Sequence, residues 1–137
     1  MVKVIEVSKR NKNLHGYDSY VNYKENTVYT RKNQTKQEKT TGLEHEKCHL
    51  RLRKKYPKES NVHFSKPVEK EIRTIPWVKK WKRYKNYTRG QMAEEVFCEV
   101  QGKIRGKEIT RKEYNDAFKS QWPKTHKAFR KLEKKVY

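Results

Sequence analysis

The spacing of apolar positions changes several times along this chain, and each change marks an element. Val2, Val4 and Val7 predict a first strand. Tyr17-Asp18-Ser19-Tyr20-Val21-Asn22-Tyr23 and Thr27-Val28-Tyr29-Thr30 read as the arms of a hairpin turning through Lys24-Glu25-Asn26. From about Gln37 to Tyr56 no proline intervenes, and His45, His49, Leu52 and Tyr56 recur at helical spacing while Glu44, Lys47, Arg51, Lys54 and Lys55 fall on another side. An amphipathic helix is expected there, ended by Pro57 and followed by a polar loop from Lys58 to Asn61. Ser65 and Pro67 read as cap and first-turn proline of a helix bearing Glu69 and Glu71, with Val68, Ile72 and Ile75 as its apolar stripe. Pro76 breaks or kinks it, and Trp77, Val78, Trp81 and Tyr84 resume as an aromatic, basic helix. Thr88 caps a further helix from Arg89 to about Ile104, closed by Gly102 and Gly106. Beyond Thr110 one or two basic helices divide near Pro123, with Tyr114, Phe118, Trp122, Phe129 and Leu132 as their core positions.

This order predicts an α+β chain whose short antiparallel or mixed sheet is confined to the first forty residues. A length of 137 residues suits one domain, divided into a sheet (1–36), a central helical part (37–86) and a basic helical part (87–137). Apolar residues are 32% of the chain and charged residues 38%, so the core is thin. No run reaches the length of a membrane span, and the charged start lacks the pattern of a signal peptide, which makes the cytoplasm the expected compartment. Cys48 and Cys98 are too few and too far apart in sequence for a disulfide scaffold or a cysteine zinc finger, and read as buried small hydrophobes.

The chemistry centres on His45-Glu46-Lys47-Cys48-His49. Two histidines four apart on a helix project from one face and can share one Zn²⁺, and the glutamate after the first points at the water such a metal carries. Zinc lowers the pKa of that water to about 7, so Glu46 is the candidate general base for hydrolysis. The competing reading is a helix with two ordinary histidines beside solvated charge. A catalytic zinc needs a third protein ligand, and Glu95 is one candidate for the place. Glu95 sits on a clean helical stretch with Glu99 four residues on, able to orient a ligand from behind.

The order of small sheet, HExxH helix and following acidic helix resembles the gluzincin tribe of metallopeptidases, including the minigluzincins and the ImmA-like peptidases, over residues 17 to 85. That resemblance implies a zincin-like fold, peptide-bond hydrolysis, a protein or peptide substrate, and a third glutamate ligand from the next helix. Glu71, in Glu71-Ile72-Arg73-Thr74-Ile75-Pro76-Trp77-Val78, is similar to that pattern and is the leading third ligand. His63, fourteen residues after His49, is similar instead to the third histidine of the Spartan or SprT-like proteases, although Phe64 stands where a glycine usually follows.

Charge adds a second function class. Lys and Arg number 36 against 16 acids, a formal +20, and Lys103 to Tyr137 alone holds twelve against four. Such a field attracts polyanions. Lys79, Lys80, Lys82, Arg83 and Lys85 interleave with Trp77, Trp81, Tyr84 and Tyr87, a mixture suited to phosphates and unstacked bases. Nucleic acid is therefore a candidate partner, and the alternative function is a nucleic-acid- or protein-binding module whose zinc site is structural, degenerate or absent. Tyr84, Tyr87, His63 and His126 are the candidates for stabilising an oxyanion.

Overall fold

The structure is a computed structural model that describes residues 2–81 and 87–137. Tyr84, Lys82, Arg83 and Lys85 lie outside the described residues. The protein is α+β, with three strands at the start followed by six α-helices among the described residues.

The strands are β1 (Lys3–Val7), β2 (Ser19–Asn22) and β3 (Thr27–Arg31). The expected hairpin forms: β2 and β3 are antiparallel with Val21 opposite Val28 and Tyr20 opposite Tyr29. Its turn is set by Asn22, whose side chain accepts from the Glu25 N–H at 3.1 Å, and by Asn26 at φ 50°, a left-handed conformation that asparagine tolerates. β1 adds parallel to the other side of β3, giving a mixed sheet in the order β1-β3-β2. β3 is therefore central and its first four residues are buried, while β2 is an edge. The long β1–β2 link holds a 3-10 turn (Lys12–Leu14), capped by Asn11, that buries Leu14; its signal is local side-chain capping, which periodicity does not detect.

The helices are α1 (Lys36–Lys55), α2 (Lys66–Ile72), α3 (Pro76–Lys79), α4 (Arg89–Arg105), α5 (Arg111–Gln121) and α6 (Pro123–Val136). Three of them start with reciprocal capping boxes: Thr35 with Glu38, Thr88 with Gln91 and Thr110 with Glu113. As expected, Pro76 breaks the stretch: the helix bearing Glu69 and Glu71 ends at Ile72, and Pro76 opens α3 as a separate single turn. Trp77 and Trp81 pack against the core, ring to ring at 4.8 Å. Of the expected C-terminal core, Tyr114, Phe118, Phe129 and Leu132 are buried and Trp122 is half-buried.

Gly102 departs from its expected place at a helix end. It lies inside α4, where a Cβ would stand 2.8 Å from the Thr41 carbonyl oxygen and 3.1 Å from the His45 nitrogen. Both obstacles are backbone of α1, so only glycine allows the two helices to approach this closely. Gly106, the C-cap of α4, meets Thr41 in the same way, with a Cβ 3.0 Å from its Cα. With Thr41 beside Gly106, His45 beside Gly102 and Arg53 paired to Glu94, α1 and α4 run antiparallel. No helix among the described residues is long and apolar enough to cross a membrane.

Candidate metal centre

Two matched stripes build the site. On α1, His45, Cys48, His49 and Leu52 follow the i, i+3, i+4, i+7 spacing of one helix face, and all four are buried. On α4, Glu95, Cys98, Glu99 and Gly102 repeat that spacing and face them. Antiparallel packing then sets histidine against glutamate twice. His45 Nε2 lies 3.0 Å from Glu95 Oε2, and His49 Nε2 lies 3.0 Å from Glu95 Oε1. The two Nε2 atoms are 3.2 Å apart.

Those separations fit a metal. Tetrahedral zinc with Zn–N bonds of about 2.05 Å places neighbouring ligand atoms about 3.3 Å apart, close to the 3.2 Å between the two Nε2 atoms and to the 3.0 Å from each of them to one Glu95 oxygen. His45, His49 and Glu95 together form a group able to hold a metal ion, with no fourth His, Cys, Asp or Glu in it among the described residues. The remaining ring nitrogens are held from behind. His45 Nδ1 donates to Glu99 Oε2 at 2.9 Å and His49 Nδ1 donates to Glu94 Oε2 at 2.7 Å, which leaves each Nε2 facing inward as ligand atom. Glu94 is itself fixed, accepting from the Val62 N–H at 2.8 Å and pairing with Arg53.

The charges are consistent with that role. Burial disfavours a charged His45, but the Glu95 and Glu99 carboxylates outweigh it and push the imidazole up to about 10. His49 is likewise raised well above the ordinary value against its burial, chiefly by Glu95 and Glu94. Glu95 is held far below the usual carboxylate range, its burial overcome by His49 and His45. The cluster thus keeps its negative charge by holding cations close, and a divalent ion would supply the positive charge that imidazole protons provide here.

Glu46, also buried, enters the same cleft, where the Ser19 hydroxyl of β2 donates to its Oε1 at 3.3 Å. The cleft encloses about 450 Å³ between β2, α1 and α4. Its described lining includes Asp18, Glu38, Glu46, Glu95, Glu99 and Glu108 and no Lys or Arg, in a chain whose net charge is +20. The long-range field and the local one therefore have opposite signs. Lys47, within the pentapeptide, turns away and pairs with Glu44 at 3.5 Å.

The third ligand expected first is not brought to this place. Glu71 Oε1 accepts the Thr125 N–H at 2.7 Å, so its carboxylate caps the start of α6, a helix that has no side-chain cap of its own. His63 is exposed and stays outside the group, since Glu94 fixes the backbone beside it at Val62. Glu95, the third of the sequence candidates, is the one that meets both histidines, and Glu99 stands behind His45 as that alternative requires. Glu94 was not singled out from sequence; the signal was the pair Glu94-Glu95 placed one helical turn before Glu99. Of the oxyanion candidates, Tyr87 lines the cleft with its hydroxyl 3.1 Å from that of Tyr17. His126 is bound to Asn115 and lines a different pocket, and Tyr23, just past the end of the edge strand, lines the cleft although periodicity marked it only as a strand residue. Compared with known proteins, the chain matches no protein-family model, no curated sequence and no solved structure.

Proposed function

We propose that this protein is a zinc-dependent peptidase in which His45, His49 and Glu95 hold the metal and Glu46 is the general base. The observation that carries the reading is the convergence of His45, His49 and Glu95, with the two Nε2 atoms 3.2 Å apart and each 3.0 Å from a different oxygen of the Glu95 carboxylate, on an open cleft that Glu46 also lines. Zinc held there lowers the pKa of a water ligand to about 7 and polarises a carbonyl oxygen. The chain supplies the rest. Glu99 and Glu94 keep both imidazoles in the ligating tautomer. Glu46 accepts a proton on its carboxylate, oriented by Ser19, and delivers it to the leaving amine. β2, as an edge strand along the cleft, offers backbone N–H and C=O groups to an extended peptide. Three protein donors and an open fourth position suit a catalytic rather than a structural zinc. The test is hydrolysis of unfolded casein by zinc-loaded protein, which Glu46→Gln should lower by at least about 100-fold while keeping the metal. Equal cleavage by that variant would overturn the assignment of the base.

A second reading rests on α6. Lys124, Lys127, Arg130, Lys131, Lys134 and Lys135 are all exposed, and the one acid on this helix, Glu133, is taken by Arg105 and Arg111. A basic face of this kind suits a phosphate backbone, either alone or in support of the peptidase. Zinc-loaded protein that binds duplex DNA with a steep salt dependence but cleaves no polypeptide would favour the binding-module reading.

A further inference from the structure

Behind the three donor atoms, the next layer of the α1–α4 interface is a pair of thiols. Cys48 lies on α1 between Glu46 and His49, and Cys98 lies on α4 between Glu95 and Glu99. Both side chains are fully buried, at 0% exposure, and both are free. Their sulfurs are 2.6 Å apart, closer than two unbonded sulfurs pack and only about half an ångström beyond a covalent S–S distance of about 2.05 Å. The backbones behind them are held close by Gly102 and Gly106 against α1. These are the only two cysteines of the chain, so one intramolecular pairing exists.

We propose that Cys48 and Cys98 form a reversible disulfide that joins the two helices carrying the whole metal-binding set. Two small apolar side chains would fill the same space, but the thiols bring a pair of reactive atoms to bonding range at the centre of the interface. With a peroxide as oxidant, one thiolate sulfur attacks a peroxide oxygen, the O–O bond breaks, and a sulfenic acid and one water result. The second thiol then displaces the hydroxyl from that sulfur, forming S–S and releasing a second water. The two sulfurs are oxidised by two electrons in all, and both peroxide oxygens are reduced to water. A dithiol reverses the step by exchange.

The residue that ends α6 covers the Cys48 side of the pair. The Tyr137 hydroxyl is buried beside the Cys48 thiol, and its ring is held between guanidiniums, with Arg105 at 3.4 Å and Arg51 at 4.7 Å. The pair is therefore shielded in the folded state, and oxidation follows local opening of this cover rather than direct exposure. The bond closes the chain between residues 48 and 98, a loop long enough to restrict the unfolded ensemble strongly.

The experiment uses the full chain, reduced, freed of reductant and exposed to hydrogen peroxide. Thiols are then blocked with iodoacetamide under denaturing, non-reducing conditions and the protein is digested for mass spectrometry. The expected result is one peptide pair joining α1 to α4, no alkylated Cys48 or Cys98, and a melting temperature raised by about 10 °C that dithiothreitol returns to its starting value. Cys98→Ser should lose both the link and the shift. Two alkylated cysteines, cysteines oxidised beyond the sulfenic level without a link, or only intermolecular dimers in the oxidised wild type would each overturn the proposal, whether or not the variant folds. None of these readouts depends on zinc or on hydrolysis.

Discussion

Removing the Glu95 carboxylate tests the metal centre most directly, because it separates the three sequence candidates for the third ligand. In Glu95→Ala the two imidazoles remain, oriented by Glu99 and Glu94, but the carboxylate whose two oxygens stand 3.0 Å from one Nε2 each is gone. Residues that merely orient a ligand are worth about 10- to 100-fold in metal affinity, so Glu99→Gln should fall in that range, or about 1.4 to 2.7 kcal/mol. A first ligand contributes more, and Glu95→Ala should weaken zinc by well over about 100-fold. Competition with a chromophoric chelator, run on folded protein checked by circular dichroism, measures each constant. Zinc affinity in Glu95→Ala within a few-fold of wild type would refute the assignment, and a loss confined to His63→Ala would transfer the third place to that histidine.

Three further outcomes follow from the packing. Glu71→Ala should leave zinc affinity unchanged while lowering stability by about 1 kcal/mol, because it removes the cap of α6; a large loss of zinc in this variant would show that Glu71 reaches the metal. Gly102→Ala should destabilise the fold and weaken zinc together, since its Cβ meets the α1 backbone at 2.8 Å and must push Glu99 and Glu95 away from the histidines; wild-type melting and zinc affinity would contradict this. Glu133→Gln tests a charge away from the site. Burial raises the Glu133 pKa, but Arg111, helped by Arg105, outweighs it and holds the carboxyl below its usual value. A lowered folded pKa stabilises above the ordinary carboxylate range and is lost as pH falls through the folded value. The variant should therefore be about 1 kcal/mol less stable at pH 7, with the difference closing in acid, as read by urea titration across pH. A difference that stays constant with pH would exclude the ion pair as its source.

What the sequence made legible was local. Capping threonines, prolines and the hairpin asparagines act through neighbouring residues, and α1, α4 and the β2–β3 pair lie within a residue or two of their expected places. The parallel addition of β1 was not legible beyond a mixed or antiparallel alternative, since its partner is set by a long connection rather than by a turn. Gly102 was misread for a related reason. A glycine near the end of a periodic stretch signals a helix end locally, and only the backbone of another helix reveals that it is there for contact.

The Glu71 carboxylate lies at the start of α6, and the carboxylate that meets both histidines is that of Glu95. Glu71 was favoured because it lies on the helix next in sequence to α1, as the gluzincin resemblance implies, yet order along the chain does not decide which helix covers the histidines. On α1 the ligand face and the apolar face are the same stripe, since His45, Cys48, His49 and Leu52 share it. Whatever helix buries Cys48 and Leu52 must therefore also meet His45 and His49. α4 matches that stripe position by position, with small Cys98 and Gly102 allowing close approach and Glu95 and Glu99 meeting the imidazoles. Unpaired, those carboxylates would be costly so near a core that includes Val96 and Phe97. A helix that alternates acids with small residues at core spacing is thus legible as the partner of one that alternates histidines with apolar residues. That complementarity, rather than chain distance, is the sequence signal that points to Glu95.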